Sequence, residues 1–380
     1  MRRTGFLWDE RYMWHDTGRR VGPAWPVGWT EPIAMTESPE SKRRLRNLLD
    51  ASGLLDRLVP LKPRAATEAE LLRFHTPGYL ARIKALSDDF GGDGGDGLTP
   101  FGPGSYEIAL LAAGGAMAAV DAVLDGEVDN VYALVRPPGH HAERDRGRGY
   151  CLFANTALAA IHARQDRGLV RVAIVDGDVH HANGTQQAFY EDPSVLTISI
   201  HQDGKFPPET GTLAENGAGA GLGYSLSVPL PAGSGDGAYA ATFEQVVAPA
   251  LDAFQPELIL VASGLDANAL DPLGRMMCTS DGYRTLTQVL LDAADRWCGG
   301  KLAIIHEGGY APEYVPFCGL AVIETLCGER SAATDPFLGL FSAYPGQELT
   351  AWQQAAIDQA AALIDRITPG EASGRDRSQR

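Results

Sequence analysis

The chain has 380 residues, 44% of them hydrophobic, which allows one large α/β domain or two ordinary ones around a sizeable core. It carries 32 Lys and Arg against 48 Asp and Glu, a formal net charge of −16. That balance argues against binding DNA or RNA, whose phosphates it would repel, and suits a cationic or neutral substrate or simply solubility.

In chain order, the N-terminus has basic residues but no apolar segment behind them, and no run is expected to reach transmembrane length. A first strand is possible at 5–8. A long Gly/Pro stretch, 16–32, carries Trp25 and Trp29, which suit a partner contact or a channel lid, or internal packing. Residues 41–55 form a basic amphipathic helix. The 67–75 stretch opens with Thr67 and has Glu70 three residues on, a capping-box pattern. The Gly-rich 90–104 stretch lacks the Lys-Ser/Thr ending of a phosphate loop and does not join a strand to a helix. An Ala-rich apolar helix over 106–124 is expected to be buried. Strands follow at 131–135, 172–175, 195–200, 258–262 and 302–305, apolar throughout, as in a sheet covered on both faces. Long loops separate some of them, at 139–149 and 202–223, and those two adjoin ionisable motifs as walls of a site. Helices are expected at 238–254, 280–297 and 349–367. The order is α/β with a parallel sheet, in one domain over 1–368, with a mobile tail at 369–380. Cys151, Cys278, Cys298, Cys318 and Cys327 show no paired spacing and read as reduced, mostly buried thiols. The expectation is a cytoplasmic protein without a membrane or nucleic-acid partner.

Four segments carry chemistry. In Arg136-Pro-Pro-Gly-His-His141, a stiff turn after a strand holds two adjacent imidazoles suited to acid/base work near pH 7. In Asp176-Gly-Asp-Val-His-His181, Asp178 and His180 lie two apart and point the same way on an extended segment, so both reach one metal. Asp176 shares their face one pleat deeper, where it would orient an imidazole or bind a second cation. Asp266 follows the 258–262 strand and completes an Asp/His/Asp set with room for water and substrate, the open arrangement of a catalytic zinc. Ligand softness also admits iron, manganese or cobalt. Last, Glu307-Gly-Gly-Tyr310 follows the 302–305 strand. Its two glycines permit a sharp turn that projects a Tyr into a cleft as an oxyanion donor, or else leaves it on the surface.

These four segments, in this order, resemble the zinc-dependent histone deacetylase family, most closely its bacterial class II-like histone deacetylase-like amidohydrolases, over about residues 5–327. The resemblance implies an arginase/deacetylase-like three-layer α/β/α fold with a central, mostly parallel sheet of about eight strands. It implies one Zn²⁺ held by Asp178, His180 and Asp266, with His140, His141, Asp176 and Tyr310 as the catalytic group. Matching family positions place Tyr150, Phe206, Gly149 and Gly308 at the substrate. They also place an inner potassium or sodium ion at Asp176, Asp178, His180, Ser199 and Ile200, and an outer one at Phe189, Asp192, Val195 and Tyr224. Gly177, Ala182, Leu265 and Tyr150 depart from the family pattern; none removes a ligand or catalytic group, and together they bear on the acyl pocket. The implied activity is hydrolysis of an acyl amide (acetyl-lysine, acetylpolyamine or a similar small amide), with a homodimer or homotetramer possible. Two other readings stand beside it: a two-manganese ureohydrolase of the arginase type, and a non-catalytic acyl-lysine or metabolite-binding protein.

Overall fold

The computed structural model describes residues 2–20 and 28–367. Trp25 and the 369–380 tail lie outside the described residues. Eight strands form the central sheet: β1 Thr4–Leu7, β2 Val59–Leu61, β3 Asn130–Ala133, β4 Val172–Asp176, β5 Val195–Gln202, β6 Ser225–Leu230, β7 Leu258–Ser263 and β8 Leu302–His306. They lie in the order β6-β5-β4-β7-β8-β3-β1-β2, and every neighbouring pair is parallel.

Strand residues alternate between two cores. Val172, Ile174, Leu258, Leu260, Ala303 and Ile305 face one. Ala173, Val175, Ile259, Val261, Leu302 and Ile304 face the other. This is the period-2 pattern of a strand buried on both sides. Six helices serve the argument below: α1 Glu40–Ala51, α2 Ser105–Leu124, α3 Asn155–Gln165, α4 Asn183–Phe189, α5 Ser280–Trp297 and α6 Val315–Cys327. Helices α2 and α3 cover the first core, and α1, α5 and α6 cover the second. Small residues let α2 sit close. A Cβ at Gly114 would strike the backbone of residues 64–66.

The α/β expectation and the parallel sheet hold, with differences in detail. Strands β2 and β6 fall outside the expected set. Both are sheet edges, and Pro60 and Pro229 mask their patterns; proline is tolerated there because an edge leaves one row of amides unpaired. Helices Pro77–Asp88, α3, α4 and α6 also fall outside it. The 67–75 stretch yields a single turn, Glu68–Leu71, whose capping box does form. The 238–254 helix is divided by a π turn at Phe243–Val247, just before Pro249. One expectation needs correction. Helix α2 has 20 residues and is apolar enough to cross a membrane by length and composition, yet 72% of its apolar window is buried inside the protein. It is a core helix.

The two Gly/Pro stretches near the N-terminal half become short antiparallel ribbons, Arg19–Arg20 with Ile33–Ala34 and Gly92–Asp93 with Pro100–Phe101. Trp29 is fully exposed.

Candidate metal centre and catalytic pocket

The C-terminal ends of β4, β7 and β8 lie side by side, where parallel sheets present ligand-binding groups. β4 ends in Asp176, and the chain continues through Asp178 and His180. β7 leads to Asp266, and β8 leads to Glu307 and Tyr310. One ligand atom from each of Asp178, His180 and Asp266 lies within 4.8 Å of the other two. His180 Nδ1 is 2.9 Å from Asp178 Oδ1 and 3.2 Å from Asp266 Oδ2. Backbone amides fix the remaining oxygens: Val179 N donates to Asp266 Oδ1 at 2.8 Å, and Gly308 N to Asp178 Oδ2 at 2.9 Å.

Electrostatics show what this cluster wants. Burial and the neighbouring Asp178 push the Asp266 carboxyl up to about 8. Burial opposes charge on His180, but Asp178 and Asp266 outweigh it and lift its pKa to about 10. Two buried carboxylates thus demand a positive charge between them. Asp266 Oδ2 has no hydrogen-bond partner despite full burial. An orphaned oxygen beside one imidazole and a second carboxylate fits a divalent cation, and an N/O donor set without thiolate fits zinc.

The two adjacent histidines sit in different surroundings. His140 Nδ1 is 3.1 Å from Asp176 Oδ2, and its Nε2 is 3.7 Å from Asp178 Oδ2. Burial works against its charge, but Asp178 and Asp176 raise its pKa well above the ordinary value. His141 faces a neutral partner, Asn183 Oδ1 at 2.7 Å. Burial, then the positive neighbours His140 and His180, drive its pKa well below the ordinary value. Asn183 Nδ2 donates to Glu143 Oε1 at 2.8 Å, which points its oxygen at His141. His141 therefore donates from Nδ1 and presents Nε2 as an acceptor.

A pocket of about 270 Å³ opens beside these groups, lined among others by His141, Gly149, Tyr150, His180, Phe206 and Tyr310. The Tyr150 and Tyr310 rings are 5.7 Å apart, and Phe206 packs edge-on against His141 at 4.9 Å. Gly149 sits at φ +52, where a Cβ would collide with the His141 and Phe206 rings. Gly308 is not on the pocket wall; it packs against the Asp178 and Asp266 carboxylates. Four further wall residues, Met35, Thr36, Gly97 and Leu98, come from segments around the two short ribbons, and Lys205 and Leu273 complete the wall.

Of the residues matched to the inner monovalent cation, Asp176 and Ser199 are register partners across β4 and β5, with Ile200 next on β5 and Asp178 and His180 beyond the end of β4. Asp176 and Ser199 also line a cavity of about 10 Å³. Of the outer set, Phe189 and Tyr224 already accept backbone hydrogen bonds from Asp192 and Thr197, and Asp192 pairs with Arg164 at 3.0 Å.

Three contributors escape sequence reasoning. Glu307, fully buried, receives the amides of Gly139 at 2.6 Å and His140 at 3.1 Å, plus the Thr156 hydroxyl at 3.0 Å. Burial pushes its carboxyl up to about 7. Asp271 receives the amide of Tyr310 at 2.8 Å. Glu37 pairs with Arg136 behind the pocket. In the sequence, the hints are that Glu307, Asp271 and Arg136, the partner of Glu37, each fall within or beside a recognised motif.

Comparison with known proteins agrees with this geometry. Residues 35–326 match the histone deacetylase domain. The chain is 50% identical over 338 residues to a histone deacetylase-like amidohydrolase of Pseudomonas aeruginosa, covering 88% of this chain and 89% of that one. It is 39% identical to mouse polyamine deacetylase HDAC10, covering 82% of this chain and 47% of that one. Among solved structures, the HDA15 HD domain superposes with a TM-score of 0.80 at 34% identity, covering 96% of this chain and 95% of that one.

Proposed function

The chain belongs to the histone deacetylase family, and from that premise we propose that it is a zinc-dependent amidohydrolase cleaving a short acyl group from an amine. The observation that carries the reading is the convergence of Asp178, His180 and Asp266 beside a pocket that also contains His141 and Tyr310.

Asp178, His180 and Asp266 would hold the zinc, which would supply Lewis acidity toward the acyl carbonyl and a water molecule. The residues divide the remaining work. His141, kept neutral by burial and by the positive charge of His140 and oriented by Asn183, takes a proton from water at Nε2. His140, held by Asp176, contributes positive charge beside the developing tetrahedral centre. His141 then returns its proton to the leaving amine. Tyr310 donates its phenolic hydrogen to the oxygen of the former carbonyl. Tyr150 and Phe206 provide the apolar walls for the stem of the amine. Glu307 braces the Gly139-His140 turn.

The substrate is an acylated amine, an acyl-lysine peptide or small amide. Among the described residues, the pocket wall includes Lys205 and no carboxylate. That supports a substrate with one amide and no second cation near the mouth over an acetylpolyamine. Potassium or sodium at the Asp176–Ser199 locus belongs to the same proposal, supported by the pairing of these two residues across adjacent strands and the small cavity that both line. The five cysteines are free and buried, which supports a reducing, cytoplasmic setting. Asn183 and Asn268 are engaged with His141, Leu265 and Leu270. They do not supply the extra carboxylates that a two-manganese ureohydrolase needs.

The test is acetate release from an acetyl-lysine peptide, from acetylspermidine and, for urea, from arginine, each with and without a chelator. Acetate release that chelator abolishes and zinc restores is expected. Binding without turnover, or urea production, overturns the proposal.

A further inference from the structure

Behind the pocket lies a buried cluster with more positive than negative charge. Glu37, Lys42 and Arg136 are all buried, none more than 1% exposed. Glu37 accepts from Arg136 Nε and Nη2, each at 2.8 Å, and from Lys42 Nζ at 3.2 Å. Arg136 Nη1 also donates to the carbonyls of Tyr12 and His15. Two cations against one carboxylate is an arrangement that burial opposes, and an uncharged side chain at 42 would cost less. Lys42 is neither a ligand of the metal cluster nor part of the pocket wall.

What Lys42 faces is Tyr310. Its ammonium lies 5.1 Å from the centroid of the Tyr310 ring, within cation–π range. The neighbouring Ser41 donates to the Gly309 carbonyl at 2.7 Å. Asp271 receives the Tyr310 amide from another segment. The Gly308-Gly309 turn has no side chains of its own to hold it, and Gly309 sits at φ +131. The start of α1 therefore restrains both the turn and the ring it carries.

We propose that Lys42 is a positioning residue for Tyr310: its ammonium, anchored by Glu37, holds the ring against the pocket and strengthens the phenol as a hydrogen-bond donor. This rests on Tyr310 acting as donor to the amide oxygen. A cation beside the ring draws electron density from the phenol and favours negative charge on its oxygen, which is the sense needed when that oxygen shares its hydrogen.

The test compares Lys42→Met, Lys42→Arg, Tyr310→Phe and the double variant Lys42→Met/Tyr310→Phe in the zinc-loaded full chain. Lys42→Met leaves Glu37 paired with Arg136 and is expected to keep its zinc. Its kcat should fall about thirtyfold with KM changed less than about twofold, the size of a desolvated cation–π contact. Lys42→Arg should recover most of the loss. With Tyr310→Phe in place, adding Lys42→Met should have little further effect on kcat, because the hydroxyl through which it acts is gone. A readout free of metal and turnover is the fluorine resonance of 3-fluorotyrosine at position 310 in zinc-free protein, which should shift in Lys42→Met. Undiminished kcat, additive losses in the double variant, or an unmoved resonance overturns the proposal. If Lys42→Met fails to fold, the same resonance in Lys42→Gln, which also removes the cation, decides, and an unmoved signal counts against the proposal. Full activity in Tyr310→Phe would instead overturn the donor role of Tyr310.

Discussion

At position 308 a single methyl group has nowhere to go. A Cβ there would collide with the Asp178 and Asp266 oxygens, and the Gly308 amide already holds Asp178 Oδ2. Gly308→Ala is expected to weaken zinc binding by about 10–100-fold, the usual cost of disturbing groups that orient metal ligands; a chelator competition titration measures it. Asp178→Ala should abolish zinc retention, which metal analysis after desalting checks. Tyr310→Phe should keep zinc and lose about 10²–10³ in kcat, as for other lost oxyanion donors. The clustering of Asp178 with His180 was readable from sequence because both, with Asp176, continue the parity of β4 beyond its end. Glu307, Asp271 and Lys42 were not. Each acts through a partner far away in the chain, and a buried carboxylate bonded to residues 139, 140 and 156 leaves no local periodicity.

Among elements, the ion pair between Glu37, just before α1, and Arg136, just after β3, ties one core's helix to the catalytic loop. Burial opposes the charge on Glu37, but Arg136 and Lys42 hold its carboxyl far below the ordinary range. Its contribution to stability is therefore complete above the ordinary glutamate pKa of roughly 4.3 and is lost as pH falls below it. Glu37→Gln leaves two buried cations without their carboxylate and is expected to cost about 3–5 kcal/mol at pH 7. Denaturant titrations at pH 7 and at acid pH should show that deficit shrinking below pH of roughly 4. The central strands were legible as unbroken apolar runs. The edge strands β2 and β6 were not, because proline and serine are acceptable where one side lacks a neighbour. Helix α3 has apolar residues all round, which leaves no amphipathic stripe to detect.

For the whole molecule, a net charge of −16 accompanies a pocket whose wall includes Lys205. The long-range field should speed the approach of a cationic acylated amine, and that lysine should then discourage a second positive charge close in. For a cationic peptide substrate, kcat/KM is expected to fall as ionic strength rises from about 0.01 to 0.15 M, where screening shortens from roughly 30 to 8 Å. An uncharged acetanilide-type substrate should show no such dependence. Stopped-time assays at matched pH compare the two.

The amides of Val179 and Gly308 each hold a ligand carboxylate that arrives from a different strand end, so the loops beyond β4, β7 and β8 are laced to one another across 130 residues of sequence. During synthesis, a growing chain cannot assemble this box until the segment after His306 has emerged from the ribosome. A divalent ion is therefore expected to be gained late, and a product truncated before that point is expected to hold it poorly.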